Sequence, residues 1–347
     1  MKIAGVKAAI PSRVMDNDAV KGMIAEHSGD VLKDRLRTAL NRVDFYLTFS
    51  GSSRRQWLAD GEVPFDLLER AVGEALAQAG VRRSEVDLVI YTGVDRGFIE
   101  PAMAYLVASG LGMPQAHCFD VIDACMSWTR SAFVAYNLLR SRQYKNVLIV
   151  NCEFNMRPNG HINPGCFRLE SVEAVDWNFP AFTLGEAATA TLLVADDSRP
   201  WEFHFATAPQ HSDLCAIPLS GFDLYCRKEP RLGRNGPNLF TSFGSDLFRE
   251  GRPHLIDVLK RLKTPLDEIK AFFPHAASKQ LWFDAGTELG VADRIWFVYP
   301  EYGNLVSASA PAGMAMAMES GAIREGDRVG GWIGSAGMSF ASFAFEL

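Results

Sequence analysis

The sequence predicts an α/β protein made of two similar halves, and three observations carry that expectation. Short apolar runs at residues 86–92 (VDLVIYT), 146–151 (NVLIVN) and 190–195 (ATLLVA) read as strands covered on both faces. Helical patterns separate these runs at the spacing of an α/β architecture. The order of helix, polar link and strand then recurs in the second part of the chain.

In chain order, residues 67–79 (LLERAVGEALAQA) have helical periodicity and stop at Gly80, a suitable C-terminal cap. They lead into the strand at 86–92. A second helix starts around Cys125, continues through residues 131–139 and precedes the strand at 146–151. The counterparts lie at 264–274 (TPLDEIKAFFP) and 327–333 (DRVGGWI), the latter preceded by a helix beginning near Asn304. The expected division places residues 1–197 in one half and 198–347 in the other. Residues 153–182 and 209–238 are rich in Asn, Pro and Gly and have little periodicity, so they read as long loops. Such loops border binding sites or are plain surface excursions, and the pattern leaves both readings open.

Composition narrows the class. The 347 residues are 48% hydrophobic and 22% charged, enough apolar material for a large core. The net charge of −6 argues against nucleic acid as a partner, which needs a concentrated basic face. No apolar stretch approaches the ~20 residues of a membrane span. The first residues lack the pattern of a secretory signal, so the expectation is a soluble cytoplasmic protein. The six cysteines form no CxxC pair and no Cys/His cluster with zinc spacing, so no metal is expected and free thiols are.

Three residues stand out chemically. Cys125, in FDVIDACMSW, falls where an apolar run ends and a helix begins. The positive end of a helix dipole there would favour the nucleophilic thiolate; the alternative is a buried structural cysteine. His275, in FFPHAASKQ, directly follows an apolar run and so belongs at a strand end, where sites gather in α/β folds. A neutral imidazole there can donate to a developing oxyanion or shuttle a proton, unless it is an ordinary surface histidine. Asn304, in YGNLVSASA, offers an uncharged amide donor for an enolate, or a helix cap. The glycine-rich GGWIGSAG at 330–337 has neither GxxxxGK[ST] nor GxGxxG spacing, which argues strongly against a nucleotide P-loop.

The order Cys125, His275, Asn304 resembles the Cys-His-Asn triad of the ketoacyl-ACP synthase III family. The likeness extends along nearly the whole chain. AGVKAAIPSRVMDNDAV at 4–20 resembles the family's opening segment, and Asp123-Ala124-Cys125 its approach to the nucleophile. LGEAATA at 184–190 is similar to an FGDGAGA-like turn, and His275-Ala276-Ala277-Ser278 to a His-Gln-Ala-Asn-like motif. Tyr302-Gly303-Asn304 matches Tyr-Gly-Asn, and residues 330–340 resemble the family's closing glycine-rich strand.

The resemblance implies a thiolase fold, five-layered α-β-α-β-α with two pseudo-duplicated halves, and a homodimer. It implies ping-pong chemistry. Cys125 would take an acyl group from an acyl-CoA or acyl-ACP, and a malonyl thioester would condense with it by decarboxylation. The expected oxyanion hole is the backbone N–H of Cys125 with that of Gly337 or Met338. Expected substrate contacts are Arg54, Arg55 and Trp57, near the family's adenine-binding arginine and tryptophan, together with Met126, Trp128 and Ser278. No cofactor is implied beyond the coenzyme A or phosphopantetheine of the substrates, and an acyl carrier protein is the implied partner. Ala276 and Ser278 replace the family's Gln and Asn, and Ser53 stands at its Arg position, features of a secondary-metabolism relative. Transfer of the acyl group to oxygen or nitrogen, or service as a non-catalytic dimer partner, are the competing readings.

Overall fold

The computed structural model describes residues 1–197 and 199–347; residue 198, where the expected second half starts, lies outside the described residues. Two sheets form the framework. The first contains Lys2–Ala9 (β1), Leu88–Thr92 (β2), His117–Val121 (β3), Asn146–Glu153 (β4) and Ala187–Val194 (β5), in the order β1-β5-β4-β2-β3. The second contains Glu202–Thr207 (β6), Ala271–His275 (β7), Arg328–Ser335 (β8) and Ser339–Glu346 (β9), in the order β7-β8-β9-β6.

The two sheets correspond strand for strand. In the first, β2 runs parallel to β4, β4 antiparallel to β5, and β5 antiparallel to β1. In the second, β7 runs parallel to β8, β8 antiparallel to β9, and β9 antiparallel to β6. The counterpart of β3 shrinks to one parallel bridge, Phe272 with Ile295. The internal echo in the sequence is therefore the trace of two halves with one topology.

Helices complete five layers. Pro64–Ala79 (α3), whose C-cap is Gly80, packs on the outer face of the first sheet against β1 and β5. Ser127–Arg140 (α5) and Ser309–Glu319 (α8) lie between the sheets in one continuous core. Gly244–Lys260 (α6) and Lys279–Glu288 (α7) cover the second sheet. Because β2 is buried along its whole length, it reads as an apolar run and not as an alternating pattern. Outside the layers, Asn17–Leu32 (α1) and Leu36–Ser50 (α2) pack on each other beside a short hairpin-like pairing of Arg13–Asp16 with Arg54–Trp57. Met103–Gly110 (α4) leads into the edge strand β3.

Candidate active site

Cys125 lies in the tight turn between β3 and α5, two residues before the helix begins. Ala124 is held in the left-handed region at φ 46°, a strained conformation for a residue with a Cβ. Local hydrogen bonds keep it there. Met126 N–H donates to the Asp123 carbonyl at 2.9 Å, and the Ser127 hydroxyl donates to the Ala124 carbonyl at 2.7 Å. Ser335, at the end of β8, reaches across from the other half. Its hydroxyl accepts from Met126 N–H at 3.2 Å and donates to the Asp123 carbonyl at 3.3 Å.

His275 is the last residue of β7, as its place after an apolar run predicted. Its Nδ1 lies 3.3 Å from the Ser309 hydroxyl, whose own hydrogen is given to the Val306 carbonyl at 2.9 Å. With its hydrogen so placed the hydroxyl accepts from Nδ1, the tautomer in which Nε2 presents a lone pair. Burial lowers the imidazole pKa to about 4. The neutral ring expected from sequence is the form present, but this tautomer makes Nε2 a proton acceptor before it can be a donor.

Asn304 follows Gly303, which has φ 78° and ψ −171°. A Cβ at Gly303 would lie 2.6 Å from the Thr183 carbonyl oxygen. One at Gly185 would lie 1.8 Å from the Tyr302 carbonyl oxygen. The two motifs LGEAATA and YGN thus meet in space and need glycine on both sides. Asn304 N–H donates to the Thr183 carbonyl at 2.8 Å, and Gly185 N–H to the Asn304 carbonyl at 3.0 Å. The side-chain Oδ1 accepts from Val306 N–H at 2.9 Å, leaving the Nδ2 hydrogens as the donors toward the cavity.

All three residues line one cavity of about 490 Å³, within the usual range for small-molecule sites. Its wall is chiefly apolar and includes Phe49, Phe179, Phe240, Phe248 and Leu255. Both irregular segments noted in the sequence contribute, the first through Ile162 and Phe179 and the second through Cys215 and Ile217. The wall residues from α2 and α6 carry no sequence signal, because an apolar residue lining a cavity reads like one filling a core.

Several expectations need correction. Burial raises the Cys125 thiol well above its ordinary value, with smaller contributions from Cys215 and Glu153, and the Ser335 hydroxyl only partly opposes this. The resting residue is a thiol, because desolvation outweighs a helix dipole that begins two residues away. Met338 borders the cavity with its side chain, but its N–H donates to the Ala208 carbonyl at 3.2 Å and is not open to an oxyanion. Arg55 is fully buried. Its guanidinium donates to Asn17 Oδ1 at 2.9 Å and to the Ser52 hydroxyl at 2.8 Å, and burial lowers its pKa to about 10. Trp57 is also buried, its indole N–H donating to the Leu184 carbonyl at 2.8 Å. These two brace the junction beneath Asn304 and do not face solvent. Met126 and Trp128 turn into the core between the sheets, where the Trp128 N–H donates to the Thr191 hydroxyl at 3.0 Å. Arg54 is exposed and pairs with Glu301. Ser278 borders the cavity and also caps α7 through Leu281 N–H.

This arrangement brings a thiol, an imidazole and an amide together from two topologically equivalent halves. Residues 259–347 match the family described as 3-oxoacyl-[acyl-carrier-protein] synthase III, C terminal. Over 355 aligned positions the chain is 24% identical to the β-ketoacyl-[acyl-carrier-protein] synthase III of Clostridium beijerinckii, covering 100% of this chain and 99% of that protein. It is 26% identical to the enzyme of the same name from Symbiobacterium thermophilum, over 94% of this chain and 92% of that one. Among solved structures, OleA of Xanthomonas campestris, crystallised with lauric acid and lauroyl-CoA, superposes with a TM-score of 0.81 at 18% identity, over 99% of this chain and 98% of that one. The 3-oxoacyl-[acyl-carrier-protein] synthase III of Aquifex aeolicus superposes at 0.79 and 17% identity, over 100% and 99%. The thiolase fold and the resemblance to the ketoacyl-ACP synthase III family are thereby borne out.

Among the described residues no helix is long and apolar enough to cross a membrane.

Proposed function

We propose that this chain is an acyl-transferring condensing enzyme that loads an acyl group on Cys125 and extends it by decarboxylative Claisen condensation. The observation that carries the reading is the convergence of Cys125, His275 and Asn304 on one apolar cavity. In the first half-reaction, Nε2 of His275 takes the Cys125 proton as Sγ attacks the thioester carbonyl. The bond to the leaving thiol breaks, and the imidazolium returns the proton to the departing sulfur. In the second half-reaction, carbon dioxide leaves a malonyl thioester and the electron pair moves onto the thioester oxygen. The Asn304 Nδ2 hydrogens stabilise that enolate, whose carbon attacks the acyl-enzyme carbonyl; the bond to Sγ breaks, and Cys125 leaves as a thiolate that takes one proton from solvent to become the resting thiol again.

The cavity wall favours an extended apolar acyl group, since an acetyl group would leave most of 490 Å³ unfilled. The donor is an acyl-CoA or acyl-ACP, and Arg54, exposed and paired with Glu301, is the one cationic side chain among the expected contacts that reaches solvent to meet a phosphate. A homodimer is supported by β3, the edge of the first sheet, and by exposed Phe98, Ile99, Tyr105 and Ile122 around it.

Intact-protein mass spectrometry of wild type and Cys125→Ala with acyl-CoAs and acyl-ACPs tests the reading. A gain of one acyl mass in wild type alone, followed by β-ketoacyl product on adding malonyl thioester, is expected. Absence of any adduct across donors of different chain length would refute it.

A further inference from the structure

Glu153 ends the central strand β4, is wholly buried, and is not used in the chemistry above. Every group that meets its carboxyl is a donor. The Ser307 hydroxyl and N–H both bond Oε1, the latter at 3.3 Å. Val94 N–H lies 3.2 Å from Oε2, as does Asn155 Nδ2. Among the described residues no Lys or Arg pairs with it.

The position of Ser307 gives this cluster its meaning. It follows Val306, a β-branched residue held in the left-handed region at φ 51°. The N–H of Val306 fixes the Asn304 amide, and its carbonyl takes the hydroxyl of Ser309, which holds His275. One strained turn therefore orients both groups supplied by the second half, and Glu153 grips that turn from the first. Asn155 and Val94, its other partners, line the cavity beside Cys125.

We infer that Glu153 is a positioning residue for the decarboxylating half-reaction, holding the 304–309 turn so that the Asn304 amide meets the enolate. The inference rests on the condensing reading above. The ionised carboxylate accepts all four bonds, whereas the protonated acid can give its hydrogen only to the Ser307 hydroxyl, which must then turn its own hydrogen away. Burial raises its pKa to about 7, so both forms are present near neutral pH. The titratable groups facing it are Asp95 and Tyr91 from the β2 end, Cys152 on its own strand, and Cys125. Burial raises Tyr91, Cys152 and Cys125 away from neutrality, whereas it raises Asp95 and, to about 7, the neighbouring Glu186 toward it, so the Glu153→Gln variant is what assigns the change to Glu153.

The experiment compares Cys125 acylation, read by intact mass, with carbon dioxide release from malonyl-CoA, from pH 5.5 to 8.5. In wild type, decarboxylation rises through about pH 7 as Glu153 ionises. Glu153→Gln, which offers one acceptor where the carboxylate offers two, removes that rise. It lowers decarboxylation at pH 8 on the order of tenfold to a hundredfold, the cost of misplacing a catalytic group by a fraction of an ångström to an ångström. Acylation, which also uses His275, falls by a smaller factor, because that imidazole is carried by β7 and meets the turn through Ser309. Ser307→Ala, which deletes a single donor, shows the same split at smaller size. Equal loss of both half-reactions in both variants would reduce Glu153 to a structural residue and overturn the inference. So would wild-type decarboxylation in Glu153→Gln. A wild type that neither acylates nor decarboxylates would bring down the condensing reading itself.

Discussion

Replacing Gly303 with alanine probes the junction that carries Asn304. Its backbone, φ 78° with ψ −171°, belongs to a region that residues with a Cβ scarcely populate, at a cost of ~1–3 kcal/mol. The added Cβ would also stand 2.6 Å from the Thr183 carbonyl oxygen and 2.7 Å from Arg55 Cβ, where ordinary contacts begin at 3.4 Å. Relieving the first contact needs about 0.8 Å of movement. Neither neighbour yields easily, since Thr183 accepts from Asn304 N–H and Arg55 is buried in its own hydrogen bonds. Overpacking of this kind adds ~1–3 kcal/mol, giving a total of roughly 4 kcal/mol. An unfolding entropy of about 0.7 kcal/mol/K for a chain of this length converts that to a Tm lower by roughly 5–6 °C. Because Asn304 moves with Thr183, decarboxylation of malonyl-CoA falls on the order of a hundredfold. Acylation of Cys125, on the other side of the cavity, is much less affected. Differential scanning calorimetry and the two half-reaction assays measure all three. A Gly303→Ala protein with unchanged Tm and unchanged decarboxylation would refute the steric argument.

Other outcomes follow from the same geometry. Iodoacetamide alkylation of Cys125 keeps accelerating with pH beyond 9, since burial raises the thiol; a plateau below pH 8 would mean that the helix dipole prevails after all. Asn304→Asp places a negative charge where a donor is needed and lowers condensation by about two orders of magnitude or more, with decarboxylation assays as the check and wild-type rates the contrary result. His275, with its pKa lowered from 6.5 to about 4, leaves the unfolded chain binding the extra proton between those values. Stability from this group is therefore intact above pH 6.5 and lost as pH falls toward 4, and His275→Gln should flatten that part of a urea-denaturation series. The double variant Ile99→Asp, Tyr105→Asp charges the surface beside β3 and should give a monomer by light scattering; a retained dimer would move the interface elsewhere.

Much of this molecule is legible in its sequence. The buried strands announce themselves as apolar runs, because a strand covered on both faces has no polar side to show. The repeated halves appear as an echo because equivalent topology demands equivalent order of elements. Cys125, His275 and Asn304 are marked by local context: a strand-to-helix turn, a strand end, and a glycine whose conformation few other residues tolerate. These are properties of short stretches of chain, and a sequence displays them directly. The direction in which a side chain points is another matter. Arg55, Trp57, Met126 and Trp128 are themselves expected contacts, yet all four turn inward, where each packs or hydrogen-bonds with partners elsewhere in the chain. The state of Cys125 depends on the desolvation imposed by the whole cavity, which no local motif encodes. Glu153 and Ser335 join groups more than 150 positions apart and look unremarkable in their own segments. Burial and partnership arise only when both halves close on one another, so tertiary structure alone decides which residues touch the substrate and which hold those residues in place.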